Sequence, residues 1–556
     1  MDKRTVLAFV LSFVVLVGWS LFFAPKPEQT PPRKEPSTAQ TPAPPSPEVR
    51  KTPAPAEPAQ SPATGQTREE AVPKPEEREI EINTPLYRAV FSNVGPTIKS
   101  FKLKKYRQTT DPDSPPVDLV TIKKNMGDFL LFSFDNHSVP KNAGRVFQVD
   151  REFINLGEDS SPQTLVFRAT TGEGVTTTQT FRFYPDQYRI DLDVEVANGS
   201  ANPVEGAFKA ELRAMPPKDK GGYYAYVGFA LLLDNELKEV EVEDPSEEQS
   251  LRGKMGWVSY EDNYFISAVV PDVPSNAVFT GRHLTSGVLE GAYFLPPASV
   301  GPQGVKAAKY ELYLGPRDLG ILKGFGKGLD QAINFGWTDI IAKPLLYILR
   351  FFDKYIHNYG VSIILLTILV KALFWPLTHK SYKSMKEMQK LQPRMAKLRE
   401  KYKGDKQKLN QEMMALYKTY KVNPMGGCLP MIIQIPVFFA LFRVLGGCIE
   451  LRHAPFALWI NDLSAPDRLF NFHFQIPFMS PPYGIPVLTL LMGASMFLQQ
   501  KMTPTPGDPT QAKIMMFLPV IFTFMFINFP SGLVLYWLVN NILSIAQQYR
   551  IHKKPA

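Results

Sequence analysis

Features that mark several common classes of protein are scarce in this sequence. Its 556 residues include only two cysteines, Cys428 and Cys448. If the apolar segment between them is helical, it holds their Cα atoms about 30 Å apart, whereas a disulfide requires a separation below about 7 Å. We therefore expect no disulfide between them. We also find no spacing of cysteine and histidine that predicts a metal site.

The short motifs that carry common enzymatic chemistry are missing as well. The sequence has no nucleophile elbow, no glycine-rich phosphate loop and no metal-binding motif. A Ser–Lys protease dyad with Ser495 or Ser531 is conceivable, but Ser531 falls in a predicted outer turn, far from the candidate lysine Lys371. No rhomboid-like Gly-x-Ser-Gly is present either. We expect a protein that is not an enzyme, with no catalytic residue and no cofactor.

The positive charge is concentrated in one segment. Residues 380–421 contain 13 Lys or Arg residues against four acidic residues, which equals the net charge of +9 of the whole chain. Such a block bears on membrane topology or on an anionic partner rather than on the fold.

The N-terminal 77 residues predict an anchor and a tether. Lys3 and Arg4 precede about 20 apolar residues, which is longer than the apolar core of about 7–15 residues in a cleaved signal peptide. A small-x-small cleavage site before Pro25 would also need a small residue at position 22, which is Phe22. We predict an uncleaved membrane anchor at 1–24 with a cytoplasmic N-terminus. Residues 25–77 hold 15 prolines and few large apolar residues, which predicts a disordered tether.

Residues 78–335 predict an all-β domain. In "YRIDLDVEV", apolar residues at 188, 190, 192, 194 and 196 alternate with polar ones, which is the period of a strand with one buried face. "EIEIN", "TFRFY" and "YELYL" repeat the pattern between turn residues such as Asn198–Gly199. We predict an antiparallel β-sandwich that acts as a binding or spacer domain.

A helix of a different kind follows at 339–358. Apolar residues recur three and four positions apart, from Ile341 to Ile356, and the charged residues lie elsewhere on the helical wheel. This pattern predicts an interfacial amphipathic helix that leads into a membrane. The alternative is a core helix of the β domain.

Five further apolar segments predict membrane spans. They lie at 359–378, 425–445, 483–499, 514–529 and 532–549, and a short tail follows at 550–556. With the anchor they make six transmembrane helices, so both termini lie on one side. The basic residues cluster on that side, which predicts cytoplasmic termini and a β domain outside the cytoplasm.

The basic segment 380–421 predicts a cytosolic helical hairpin. Methionine, leucine and tyrosine recur at helical spacing on both sides of "KGDK", which indicates two amphipathic helices with a Met-rich seam. We interpret the seam as the hairpin's own packing face rather than a ligand groove. We attribute its charges to solvated faces and to topology rather than to a dedicated RNA contact.

One residue does not fit its apolar surroundings. Lys371 lies within "ILLTILVKALFWPLTH", in the predicted cytoplasmic half of a span, where a charge is costly. Snorkelling to the interface is the simple explanation, but about 10 Å of helix separates Lys371 from that end. Its Cβ also tilts toward the outer face. We predict a polar or water-filled interior site, for which the other spans offer as candidate walls Thr367, Gln434, Tyr536, Trp537, Asn540 and Asn541.

No acidic residue lies deep in any of these five segments. Cation pumps and proton relays normally use chains of Asp or Glu in the membrane, so the sequence argues against that class. A polytopic transporter or channel remains the alternative function, and conductance through a pore open on both sides would favour it.

Three stretches carry a resemblance to a known family. "VKALFWPLTHKSYKSMKEMQKLQP", "QEMMALYKTYKVNPMGGCLPMIIQIPVFFALF" and "FPSGLVLYWLVNNILSIAQQ" resemble the YidC family of membrane protein insertases. The anchor, tether and β domain resemble its Gram-negative branch. The resemblance implies a β-supersandwich periplasmic domain and a five-helix core with an inward-open hydrophilic groove. It also implies location in the bacterial inner membrane and insertase and chaperone activity. The implied partners are nascent membrane proteins, the Sec translocon and the ribosome, and no DNA is implied.

The family usually has arginine where this chain has Lys371, so we expect simple charge attraction rather than bidentate capture of a carboxylate. A client's short polar tail would dwell near Lys371. Its apolar helix would then leave along Ile435, Phe438 and Phe517, driven by burial in the phospholipid bilayer.

Overall fold

The computed structural model describes residues 77–123, 126–135, 144–217, 226–242, 248–420, 422, 429–502 and 509–553. Three predictions lie wholly or almost wholly outside these residues: the anchor at 1–24, the tether at 25–77 except for Glu77, and the end of the tail at 554–556. Cys428 is also outside them, whereas Cys448 is buried as a free thiol.

The first part of the described chain is a β domain, as the alternating pattern predicts. Within the described residues its strands are β1 (Glu79–Asn83), β2 (Tyr87–Ser92), β3 (Thr97–Arg107), β4 (Pro116–Asp118), β5 (Leu130–Asp135), β6 (Gln148–Val149), β7 (Phe153–Asn155), β8 (Gln163–Thr170), β9 (Val175–Phe183), β10 (Arg189–Asn198), β11 (Val204–Ala214), β12 (Gly228–Leu233), β13 (Glu236–Val240), β14 (Glu248–Glu261), β15 (Phe265–Pro271), β16 (Ser275–His283), β17 (Leu289–Phe294), β18 (Ala298–Val300) and β19 (Val305–Pro316). A further pair, β20 (Leu469–Phe472) and β21 (Tyr483–Ile485), lies between the later helices.

The strands form two sheets in the β domain. One has the order β4-β3-β2-β1-β7, and the larger follows the path β18-β11-β17-β16-β14-β15-β19-β10-β9-β8-β6, with β12, β13 and β5 off this path. The prediction of a wholly antiparallel domain is wrong in one place, because β1 pairs with β7 in parallel. The two strands are separated by about 70 residues of chain, enough for the crossover that parallel pairing requires.

The alternation in β10 places its side chains as the sequence predicts. Ile190, Leu192, Val194 and Val196 are buried, while the residues between them are half-exposed or exposed. The two sheets meet through aromatic rings. The ring of Phe91 on β2 lies 5.1–6.4 Å from the rings of three phenylalanines of the larger sheet, Phe167, Phe181 and Phe183. Such ring pairs stabilise the core by more than the area that they bury.

The second part of the described chain is helical. Its helices within the described residues are α1 (Leu319–Phe325), α2 (Asp339–Ile356), α3 (Tyr359–Leu373), α4 (Trp375–Lys401), α5 (Lys406–Thr419), α6 (Leu429–Gly447), α7 (Val487–Met502), α8 (Pro509–Phe526) and α9 (Ser531–Lys553). Short 3-10 turns lie at Leu329–Ala332, Gly336–Thr338 and Ile449–Leu451.

The segment that we predicted as one span at 359–378 is bent. It comprises α3 and the first turn of α4, which meet at Phe374 at an angle of 65°. Pro376 occupies the first turn of α4, and because proline lacks an N–H it cannot continue the hydrogen-bond ladder of α3. The basic helix α4 therefore starts within the apolar segment and runs without a break to Lys401.

Within the described ranges, no single helix is both long and apolar enough to cross a membrane. The bent pair α3 and α4 meets that requirement when the two helices are taken together, and shorter apolar helices lie at Ile433–Gly447 and Met515–Phe526.

Helix α2 presents two different apolar faces. Ala342, Leu345, Leu346 and Leu349 are buried where α2 packs against α3 and α6. The opposite face leaves three aromatic side chains exposed at one-turn spacing: Tyr347, Phe351 and Tyr355. The stripe that the sequence predicts, from Ile341 to Ile356, runs beside the buried face: Leu345 is buried, and the other four residues of the stripe are half-buried.

The β domain contacts the helical part through the loop after α6. Arg452 donates hydrogen bonds from Nη2 to the main-chain oxygens of Arg107 at 2.8 Å and Gln108 at 3.3 Å. Its guanidinium also lies 5.6 Å from the ring centroid of Tyr264 and 5.5 Å from that of Phe265. These contacts fix the edge of the β domain against this loop.

A buried carboxyl group lies at the same junction. Arg350 of α2 is shared between Asp318 at 3.4 Å and Glu450 at 3.5 Å. Burial raises the pKa of the Glu450 carboxyl to about 7, and the negative charge of Asp318 acts in the same direction, while Arg350 opposes it. Burial also raises the pKa of Glu261 to about 7, against the opposing charge of Arg317.

Glu450→Gln is expected to raise the melting temperature at pH 8.5 and to raise it much less at pH 5. The pKa of a glutamate in an unfolded chain is about 4.3. Between that pH and about 7, the Glu450 carboxyl is therefore protonated more in the folded chain than in the unfolded one. The stability that the group contributes is complete below the lower value and is lost as pH rises through the upper one. Thermal unfolding of the purified protein at both pH values measures this. Glu387→Gln, at a half-exposed position of α4, is the control. An unchanged pH dependence in Glu450→Gln would contradict the assignment.

Candidate functional site

The candidate lysine lies between two helices. Lys371, in the last turn of α3, donates hydrogen bonds from Nζ to Asn540 Oδ1 at 3.2 Å and to Ser544 Oγ at 2.6 Å. Asn540 and Ser544 are one turn apart on α9, so a single face of that helix presents both acceptors. Ser544 is tied in turn to the helix, because its hydroxyl donates to the main-chain oxygen of Asn540 at 2.7 Å.

The ammonium group is enclosed by protein. Lys371 is 7% exposed, and its bonds run across to α9 rather than along α3 toward the helix end. Two of its three N–H groups have acceptors among the described residues. Since the acceptors lie on another helix, the geometry favours the interior site over snorkelling.

A third helix contributes to the same group of polar atoms. Gln434 of α6 donates from Nε2 to Asn540 Oδ1 at 3.3 Å, so this oxygen accepts from both Lys371 and Gln434. The cluster formed by Lys371, Gln434, Asn540 and Ser544, which we call the lysine cluster, therefore joins α3, α6 and α9.

The lysine cluster contains no negatively charged side chain that would neutralise Lys371. Every acceptor that the described residues give Lys371 is a neutral amide or hydroxyl oxygen, and no ion pair to it occurs among them. Neutral partners satisfy hydrogen bonds of a buried ammonium and so lower the cost of its burial. They leave its positive charge available to an incoming anion, which a carboxylate partner would not.

Three of the predicted wall residues lie outside the lysine cluster, and a fourth, Tyr536, adjoins the side chain of its member Gln434. Thr367 is buried one turn before Lys371, but its hydroxyl donates to the main chain of its own helix. Asn541 faces away and donates to Ser495 of α7 at 3.0 Å. Trp537 packs edge-on against Phe438 at 4.7 Å, and Tyr536 is buried.

Sequence reasoning missed two contacts on the C-terminal continuation of this face of α9. Ser544 is part of the stretch "NNILSIAQQ", and its position four residues after Asn540 was the available signal. Gln547 comes three residues later and exchanges hydrogen bonds with Thr378 of α4 at 3.0–3.2 Å. The polar face of α9 thus follows α3 and then α4 past the bend.

Exposed apolar side chains occur on α6 and on α8. Ile435, adjacent to Gln434 on α6, is 38% exposed, and Phe517 on α8 is 67% exposed. Ile521 and Phe524 continue the exposed face of α8. Phe438, the third residue of the predicted exit path, is instead half-buried against Trp537. An exposed apolar stripe such as the one on α8 marks contact with lipid or with an apolar partner.

The basic segment folds back on itself next to these helices. Met388, Leu391 and Met395 of α4 are buried, and the Tyr417 hydroxyl of α5 contacts the Met395 sulfur at 3.9 Å. The Asp405 side chain caps α5 by accepting from the Lys408 N–H at 3.0 Å. The Met-rich seam is therefore the packing face between α4 and α5, and most of the lysines lie on the outside.

No group of His, Cys, Asp or Glu among the described residues could hold a metal ion.

Two family models match the chain. One, described as the YidC periplasmic domain, matches residues 79–348, and the other, described as the 60Kd inner membrane protein, matches residues 351–556. Proteins named membrane protein insertase YidC from Syntrophobacter fumaroxidans and Syntrophus aciditrophicus are each 45% identical to this chain over its full length and theirs. A solved structure titled as an active YidC insertase with the first transmembrane domain resolved is 19% identical, with a TM-score of 0.37, and covers 85% of this chain and 93% of its own.

Proposed function

Because the chain belongs to the YidC family of membrane protein insertases, we propose that it inserts client proteins into the bacterial inner membrane and assists their folding there. In this proposal its clients are nascent membrane proteins whose short polar tails must cross the bilayer. The lysine cluster receives the tail, and the apolar helix of the client leaves into lipid.

The proposed topology has six spans, of which α3 with the start of α4, α6, α7, α8 and α9 form a five-helix core. The basic hairpin of α4 and α5 and both termini lie in the cytoplasm, and the β domain is periplasmic. The bias of basic residues toward one side of the spans supports this orientation. The exposed aromatic face of α2 suits the membrane interface, where tyrosine and other aromatic side chains are enriched.

The proposed mechanism is electrostatic attraction followed by hydrophobic release. A tail carboxylate that approaches Lys371 exchanges the neutral acceptors Asn540 and Ser544 for a charged one, and charge-assisted hydrogen bonds are about twice as strong as neutral ones. The tail thereby spends less of its path in hydrocarbon. The client's apolar helix then moves past Ile435 and Phe517, and its burial in lipid supplies the driving force.

The observation that carries this proposal is a buried, positively charged side chain with only neutral partners among the described residues. An intramembrane ionisable residue is costly and marks a functional site. A cation pump would need acidic side chains in the same place, and the described parts of α3, α6, α7, α8 and α9 contain none.

The proposed partners follow from the cytosolic surface. The hairpin presents lysines and arginines at the proposed mouth of the site, which suits a polyanionic partner such as the ribosome. Work alone or beside the Sec translocon is part of the same proposal.

Purified full-length protein in lipid vesicles is expected to insert a client with one apolar helix and a short acidic tail. The measurement is protection of the tail from an external protease, compared with vesicles that contain no protein. Protection without added nucleotide is expected, because burial of the apolar helix drives the step. Equal protection in empty vesicles, or ion conductance in place of insertion, would contradict the proposal and favour a channel.

A further inference from the structure

A second feature of the helical part lies away from the lysine cluster. An open cleft of about 420 Å³ runs between α7 and α9. It is lined by Leu491, Ala494, Ser495, Leu498, Leu538, Ile542 and Ile545. Asn540 of α9 belongs to the lysine cluster, and Ile542 lines the cleft. Side chains two positions apart on a helix point in directions that differ by about 200°. The cleft and the cluster therefore lie on opposite faces of α9.

The cleft is apolar apart from one hydroxyl group that is already engaged. Ser495 donates to the main-chain oxygen of Met492 at 2.6 Å and accepts from Asn541 at 3.0 Å. Leu491, Leu498 and Ile542 are about half-exposed. A ligand in the cleft would therefore be held by apolar contact rather than by hydrogen bonds.

A positive charge lies at one end of the cleft. Leu491, Ala494 and Leu498 form one stripe of α7 at three- and four-residue spacing, and the next position on this stripe is Lys501, which is exposed. The corresponding end of α9 carries the exposed residues Tyr549 and Arg550. Under the proposed topology, this end faces the cytoplasmic leaflet, where anionic headgroups attract basic residues.

The dimensions of the cleft favour a lipid chain over a helix. From Leu491 to Leu498 it extends about 10 Å along α7, within the roughly 15 Å that one leaflet contributes to a hydrocarbon core of about 30 Å. A spanning partner helix would contact both leaflets over about 20 residues. The cleft ends one turn before Lys501, which is where a headgroup would lie if an acyl chain filled it.

We propose that the cleft between α7 and α9 binds an anionic phospholipid, with an acyl chain against Ala494 and Ile542 and the phosphate at Lys501. The proposal rests on the proposed membrane topology but not on the client mechanism. It makes the lipid a fixed packing partner on the side of α9 opposite the lysine cluster.

Photoreactive phosphatidylglycerol and phosphatidylcholine, each carrying the reactive group on the acyl chain, test the site in vesicles that contain the full-length protein. We expect phosphatidylglycerol to label α7 and α9 about fivefold more than phosphatidylcholine, as one basic residue near an anionic lipid would give. Lys501→Gln should abolish this preference, while Lys380→Gln, an exposed lysine on α4, should preserve it. Ala494→Trp should reduce labelling by both lipids, with Leu490→Trp as the control on the same helix.

Equal labelling by the two lipids in the unchanged protein would overturn the proposal, as would a preference that survives Lys501→Gln. Labelling of α7 and α9 by neither lipid would also overturn it. No client is present in these measurements, so their failure is distinct from a failure of the insertase proposal. Lys501 is exposed, so its replacement tests the site even if Ala494→Trp impairs folding.

Discussion

Lys371→Ala is expected to lower insertion of acidic-tailed clients about tenfold or more. The attraction between two unit charges about 4 Å apart is about 4 kcal/mol at an effective dielectric constant of 20, and about 1.4 kcal/mol already changes a rate tenfold. Lys371→Arg should retain insertion, because it retains the charge. Lys371→Met, which has similar length and no charge, should behave like the alanine variant. The measurement is the initial rate of insertion into vesicles.

Matched clients separate charge from shape. A client whose tail is neutral should be inserted by Lys371→Ala at nearly the normal rate, because no carboxylate needs the ammonium. Protein stability should change little, since Asn540 and Ser544 keep their bond to each other when the lysine is absent. Full insertion of the acidic-tailed client by Lys371→Ala would exclude the electrostatic mechanism.

Replacement of the hairpin residues 383–420 by a flexible linker is expected to abolish insertion. The hairpin carries most of the basic residues near the proposed mouth of the site. Lys371 and Thr378, which form hydrogen bonds with α9, precede the replaced segment and are kept. The core should therefore remain folded. Insertion of an acidic-tailed client, measured together with the amount of protein in the membrane, tests this.

A milder variant isolates the role of the hairpin charges. Changing only exposed lysines of α4 and α5 to glutamate keeps the buried Met388 and Met395 in place. We expect this variant to bind ribosomes more weakly, and the binding that remains should depend less on salt. Normal insertion by the linker variant would refute the proposed role of the hairpin, and salt-independent ribosome binding by the unchanged protein would indicate apolar docking.

Local periodicity was enough to predict much of the β domain. In β10 every second residue is buried because one face of the strand packs on the core, and this period is legible in any single sequence. The parallel pairing of β1 with β7 was not predictable in the same way, because it depends on which distant segment returns to the edge of the small sheet. The bend at Phe374 had a local signal in Pro376, which a count of apolar residues ignores.

The sequence predicted that Lys371 lies in a polar interior site, but it predicted only some of the residues that surround it. Lys371 stood out because a charge inside an apolar run needs partners, and Gln434 and Asn540 were among the polar residues available. Which face of α9 turns toward α3 is decided by helix packing, and this excluded Asn541 and included Ser544. Trp537 was predicted as a wall of the polar site, but its ring packs against Phe438.

Site-specific photocross-linking to a ribosome-stalled client tests the central proposal most directly. A photoreactive residue at 434 should capture the client's polar tail, and one at 435 or 517 should capture its apolar helix. The matched control is 542, which is 52% exposed on the opposite face of α9 at nearly the same depth as Asn540. We predict strong cross-links from 434, 435 and 517 and none from 542. Cross-links of equal strength from 542, or none from 434, would contradict a client path that passes the lysine cluster.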